Sequence, residues 1–210
     1  MTRFVSQHAL FWLMAGNVLG LWLSILLIFP ELNSVAGEFT YGRLVPLHLN
    51  FQLYGWTSLP LVAWLFKLYP SSRVSDTEVA RGATLAWSLA LGIGGISWML
   101  GTSSGKIFLE WKGFSRVLFA FTLLFLWCAL AVRFRAGGGN GPGPTLARAC
   151  GLIVLGLIVP LWYWAASRSV YPAVNPHTSG PTAASLLGST LAVVLLLLIA
   201  GPSLGEARKN

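Results

Sequence analysis

His8-Ala-Leu-Phe-Trp-Leu-Met-Ala-Gly-Asn-Val-Leu-Gly-Leu-Trp-Leu-Ser-Ile-Leu-Leu-Ile-Phe29 runs without a single Asp, Glu, Lys or Arg and stops at Pro30. A helix rises about 1.5 Å per residue, so roughly 20 apolar residues cross the roughly 30 Å of bilayer hydrocarbon. Five further runs of this kind follow, at about 41–68 (ended by Pro70), 82–100, 114–132, 146–166 and 182–199. Backbone inside hydrocarbon has no water to bond, so only helices and closed barrels can span it. The runs do not alternate in polarity and are about twice the length of a barrel strand. The sequence therefore predicts an all-α, polytopic transmembrane bundle of about six helices.

Composition points the same way. Of 210 residues 55% are hydrophobic and 10% charged, with a mean hydropathy of +0.70, against about a quarter charged in soluble domains. The first run is longer than a signal-peptide core and continues through Phe29-Pro30-Glu31 with no small-residue cleavage site, so it reads as a retained helix. One set of loops and both termini hold nine Lys and Arg (Arg3, Lys67, Arg73, Arg81, Arg133, Arg135, Arg148, Arg208, Lys209). The other side holds five (Arg43, Lys106, Lys112, Arg116, Arg168). The positive-inside rule then puts both termini in the cytoplasm. The net charge of +8 suits anionic lipid rather than nucleic acid, because no basic stripe lies on a soluble element.

The chain reads as one membrane domain, 1–210. A glycine- and proline-rich stretch at 136–145 is expected to act as a flexible linker between a four-helix block, 8–135, and a two-helix block, 146–201. Ser185-Leu-Leu-Gly-Ser189 has small residues suited to close helix contact. Cys128 and Cys150 form neither a Cys-x-x-Cys-His haem attachment nor a zinc pattern, and are read as small core residues. Trp56, Trp98 and Trp111, near helix ends, are read as interfacial anchors. Nothing resembles a hydrolase triad, a phosphate loop or a catalytic carboxylate pair.

Polar residues inside a membrane helix are the informative ones. His48 lies two residues after Pro46, about 8–10 Å inside the start of the second run. A neutral imidazole there suits haem iron if its other nitrogen has a partner; the alternative is a hydrogen bond to another helix. Gln52 and Gly55 follow on the same face, where a small residue would let a flat macrocycle lie. Arg43 is placed to pair with a haem propionate. Lys106 offers a second propionate partner, and Glu110 either pairs with it or holds a divalent cation; the alternative for both is a solvated loop. His8 opens the first helix at the opposite face of the membrane, too far to share an iron with His48. His177 stands in the outer loop, where it is a solvated residue or a second ligand.

Phe29-Pro-Glu-Leu-Asn33, followed by Tyr41-Gly-Arg-Leu-Val-Pro-Leu-His48, resembles the first two helices of the catalytic subunit of cbb3-type haem–copper oxidases. The family pattern is close to F-P-x-L-N and then F-G-R-L-R-P-x-H. Leu100-Gly-Thr-Ser-Ser-Gly-Lys-Ile-Phe-Leu-Glu-Trp111 is similar to the family's loop between its third and fourth helices. The resemblance covers roughly 8–132. It implies that His48 is an axial ligand of a low-spin haem b, with Arg43 and Lys106 at its propionates and Glu110 at a calcium ion. It also implies a bacterial inner membrane, a cytochrome c-type electron donor and further membrane subunits.

Departures bound what is implied. The second arginine of the pattern is Val45, the family has about twelve helices against six, and the sixth run has no histidine for copper. The chain is therefore expected to reduce oxygen only with a partner that carries the remaining helices. Three readings stay open: part of a split or divergent oxidase core, a haem b electron-transfer subunit related to nitric oxide reductases, and a haem-free scaffold or assembly factor.

Overall fold

A computed structural model describes residues 1–137, 142–167, 169–170 and 184–194. These residues are helical throughout their regular elements, with no strand among them. In order they form α1 (Thr2–Ile28), a 3₁₀ turn (Pro30–Ser34), α2 (Tyr41–Asn50), a π-helical stretch (Phe51–Thr57), α3 (Ser58–Leu68), α4 (Val74–Met99), α5 (Gly113–Ala136), α6 (Pro142–Ala165) and α7 (Ala184–Ser189), which runs into a second π turn (Thr190–Val194). α2, the π stretch and α3 make one rod, because Phe51 and Ser58 at the junctions keep helical φ/ψ. Six rods result among the described residues, and four of their helices are individually long and apolar enough to cross a membrane. This is a multi-pass membrane bundle.

Two of the expected spans begin later than the helices do: α1 starts at Thr2 and α4 at Val74, each more than a turn ahead of the apolar run. Hydropathy marks hydrocarbon, whereas the helix continues into polar surroundings as long as nothing breaks it. His8 consequently lies well inside α1 rather than at its start. α6 begins at Pro142, inside the stretch expected to be a linker, where proline's fixed φ suits a first helical turn.

α1 packs along α2, the π stretch and α3; α4 lies between α2 and α5; and α6 packs on α5. The centre is aromatic. Tyr54, Trp87, Trp98, Trp111, Phe119 and Trp162 are all buried, with Trp111 stacked on Phe119 at 4.3 Å between centroids and edge-on to Trp98 at 4.8 Å. Trp98 and Trp111 are thus core residues and not the interfacial anchors expected, because the loop between α4 and α5 turns inward. Trp56 remains 38% exposed. Cys128 and Cys150 are exposed on helix surfaces, which corrects their assignment to the core.

The π stretch is stitched by side chains. Thr57 Oγ1 donates to the Gln52 carbonyl at 3.0 Å and Ser58 Oγ to Leu53 at 2.9 Å, both five residues back. The Trp87 indole donates to the Tyr54 carbonyl at 2.9 Å. Wider turns leave carbonyls poorly served by the backbone, and these three donors supply them. Gly55 lies where this stretch meets α1: a Cβ there would stand 2.3 Å from Trp12 Cβ. Gly55→Val should therefore force the rods apart, lowering stability by about 1–3 kcal/mol, the usual cost of overpacking. Thermal unfolding of the detergent-solubilised protein followed by circular dichroism checks this, with Gly42→Val, at a glycine with open space around it, as the control.

Candidate functional site

His48 seats its ring in a notch on α1. A Cβ added to Gly20 would lie 2.7 Å from His48 Cε1, so only glycine leaves room for the imidazole there. His48 Nδ1 is 2.8 Å from the Gly16 carbonyl oxygen. A carbonyl only accepts, so Nδ1 carries the proton and Nε2 keeps its lone pair. No partner for Nε2 exists among the described residues, and the side chain is only partly buried. This is the state in which histidines ligate metals: one nitrogen held by a backbone carbonyl, the other free. Gln52 and Gly55 share the face, as expected, but that face is covered by α1. Gln52 Nε2 donates to Asn17 Oδ1 at 2.9 Å, and Gly55 receives Trp12.

On the other side of α2, two residues on from His48, stands Asn50. It is fully buried and its Nδ2 donates both to the Pro46 carbonyl and to Glu110 Oε2, each at 2.7 Å. Glu110 is 3% exposed because the loop 101–112 folds into the end of the bundle. Gly101 and Gly105, both at positive φ, make the turns, and Phe108, three residues further on, adopts φ 65°. The loop is then pinned by Tyr54 Oη donating to the Phe108 carbonyl at 2.7 Å and by the Trp98 indole donating to the Glu110 carbonyl at 3.1 Å. Gly188 of α7 brings its backbone against the loop, where a Cβ would be 2.9 Å from that of Phe108. Burial raises the Glu110 carboxyl to about 7, opposed by the Asn50 amide and loop N–H groups. Asn50 Oδ1 and the Trp111 indole nitrogen are buried with no hydrogen-bond partner.

Lys106 is buried to 1% exposure. Its ammonium donates to the carbonyls of Ala165 at 2.6 Å and Ser167 at 2.5 Å and also to that of Val170. All three protons are used at the end of α6, where the helix dipole favours a cation. Burial, and then the Arg116 charge, push its pKa below the lysine range. Arg43 pairs with Glu38 and donates to the Met99 carbonyl at 3.3 Å, joining the start of α2 to the end of α4.

The candidate residues are thus divided by α2. His48 opens on the α1 side, Glu110 and Lys106 lie within the bundle on the other, and Arg43 stands at the rod's start. His8 bonds Ser88 at 2.7 Å, and its helix carries Gly16 only eight residues further on, so the histidines are nearer in depth than a full membrane thickness. His177 lies outside the described residues. Asn50 was missed by sequence reasoning, although it is a polar residue inside an apolar run and thus the same kind of signal as His48.

No protein-family model matches the chain, and no solved structure matches it. Among curated proteins, the cytochrome c oxidase subunit 1 homologue of Azorhizobium caulinodans is 30% identical over 108 residues, 49% of this chain and 19% of that protein. The bacteroid cytochrome c oxidase subunit 1 homologue of Bradyrhizobium diazoefficiens is 26% identical over 111 residues, 51% of this chain and 20% of that protein. The aligned part is about a fifth of the length of these relatives. Half of the chain is therefore similar, at a distance, to part of these cytochrome c oxidase subunit 1 homologues.

Two outcomes test the loop. Glu110 ionises at about 4.5 when unfolded and about 7 when folded, so the unfolded state sheds its proton first and stability falls as pH rises through that window. Glu110→Gln should match the parent near pH 4 and become progressively more stable than it up to about pH 7, with the gap constant above, in thermal unfolding. Lys106→Met should cost about 3 kcal/mol by leaving the carbonyls at the end of α6 unpaired, read by the same assay.

Proposed function

We propose that the chain is a membrane subunit of a cbb3-type haem–copper oxidase-like respiratory complex, with His48 as one axial ligand of a low-spin haem b. The observation that carries this reading is the imidazole's state: Nδ1–H spent on Gly16, Nε2 open at the surface of the bundle. The relationship to oxidase subunit 1 homologues supports it. A haem b with both axial positions filled passes single electrons and takes no oxygen.

The chain's own residues would orient and complete that centre. Gly16 and Gly20 hold the imidazole against rotation. Because α1 covers the Gln52–Gly55 face, the group would stand outside the α1–α2 seam, where a partner chain supplies the second ligand. Asn17 lies close to the middle of α1 and is exposed together with its bond to Gln52. Amides at that depth have no water, so a partner helix with hydrogen-bonding side chains accounts for them. Arg43 is the propionate partner in this arrangement, since the protons of Lys106 are all engaged. Glu110 and the unpartnered Asn50 Oδ1 offer two oxygen donors for calcium, although the described residues contain no group of three His, Cys, Asp or Glu. A cytochrome c-type protein would supply the electrons.

A haem-free scaffold is the second reading, because the His48–Gly16 bond also serves simply to lock α1 to α2. One experiment separates the two. In the complex purified from native membranes through a tag on this chain, His48→Ala should remove the low-spin haem b band from the reduced-minus-oxidised spectrum. An unchanged spectrum would leave His48 a helix lock and favour the scaffold. Arg43→Ala should keep the haem but lower its midpoint potential, as loss of a positive charge near a propionate requires; redox titration of the same band measures it.

A further inference from the structure

α1 and α4 pack less extensively than α1 and α2, and between them lies a groove of about 560 Å³. One end is polar, with Gln7, His8 and Ser88; the walls beyond, including Phe11, Leu89, Ile93 and Ile96, are apolar. From Leu85 to Ile96 the groove follows α4 for roughly 16 Å. Its shape and polarity are those of a molecule with a small polar head and an apolar tail.

Hydrogen-bond accounting defines the head. The Trp12 indole, which can only donate, gives its proton to Ser88 Oγ at 3.1 Å. Ser88 has one proton of its own, and among the described residues the acceptor within reach is His8 Nδ1 at 2.7 Å. An imidazole in apolar surroundings is neutral, so its remaining proton sits on Nε2. That N–H has no partner among the described residues, and at the edge of the hydrocarbon, beside the apolar walls of the groove, an unpaired donor is costly. The ligand must therefore present an acceptor. The exposed Phe11 ring, edge-on to the buried Trp12 at 5.0 Å between centroids, offers aromatic surface beside it, which favours a flat acceptor over the ester of an acyl lipid.

We propose that this groove binds an isoprenoid quinone, with a ring carbonyl accepting from His8 Nε2–H, the ring beside Trp12 and Phe11, and the tail along Leu89, Ile93 and Ile96. Binding here is independent of haem at His48, which faces the α2 side of α1. Gly92 keeps the groove open: a Cβ there would stand 3.8 Å from Trp12 Cη2, an ordinary contact, so a larger residue fills the groove without disturbing the helices.

The test is photolabelling of the full chain, in the tagged complex reconstituted into phosphatidylcholine nanodiscs, with an azido-benzoquinone carrying a decyl tail. Mass spectrometry maps the adducts, and decylubiquinone competes. Labelling is expected on the α1 and α4 segments lining the groove. His8→Ala should raise the half-competing concentration of decylubiquinone about tenfold, the worth of one buried hydrogen bond, and Gly92→Leu should abolish the label. Either variant, if folded and labelled like the parent, overturns the proposal. So does displacement of the label by an acyl-chain phosphatidylcholine probe as readily as by decylubiquinone, which would make the groove a lipid site. Loss of the His48 haem band leaves these outcomes unaffected.

Discussion

The Lys106 ammonium, enclosed by the Ala165, Ser167 and Val170 carbonyls, draws the loop between α4 and α5 into the bundle. A charge buried this far is tolerated only when every proton is bonded, and the end of α6 provides carbonyls that the helix itself leaves unpaired. Much else follows. With the loop inside, Trp111 enters the aromatic core and Glu110 meets Asn50, which sets which side of α2 is interior. His48, two residues away, is left facing α1 and the surface. Arg133 performs the equivalent task at the opposite end, donating to the carbonyls of Phe66, Tyr69 and Asp76 where α3 gives way to α4. Each end of the bundle is thus closed by one buried cation on the carbonyl end of a helix.

The same accounting explains the functional reading. In hydrocarbon each polar group needs a named partner, so those without one among the described residues carry information. His48 Nε2, His8 Nε2 and the outward sides of the Asn17 and Gln52 amides all lie on or beside α1, the helix whose other faces carry Leu10, Met14, Val18 and Leu21 exposed. Among the described residues, the buried side-chain polar atoms are all paired apart from Asn50 Oδ1 and the Trp111 indole. The unpartnered polar groups at the surface are thus concentrated at one helix and its flanks.

The fold was legible because hydropathy reports directly on the medium: the runs at 41–68 and 114–132 fall on the observed rods within a few residues. The His48 signal was legible for the same reason, since an imidazole in an apolar run is costly. The loop was not. Lys106, Glu110 and Trp111 look like surface residues until their partners at the end of α6 and on α2 are known, and those partners are backbone carbonyls or residues roughly sixty positions away. Backbone acceptors leave no trace in residue identity. Nor does the π stretch, whose supports Thr57, Ser58 and Trp87 are ordinary helix residues.

That stretch gives the second rod a property a plain α-helix lacks. The wide turn between Phe51 and Thr57 holds one residue more than an α-helix needs, so a residue removed there would close it to α geometry and leave the two halves facing as they do now. The half that presents His48 to α1 and the half that presents Leu59 and Val62 to the core would keep their aim through such a loss. In a plain α-helix the loss of one codon would instead turn the imidazole by about 100° relative to α3.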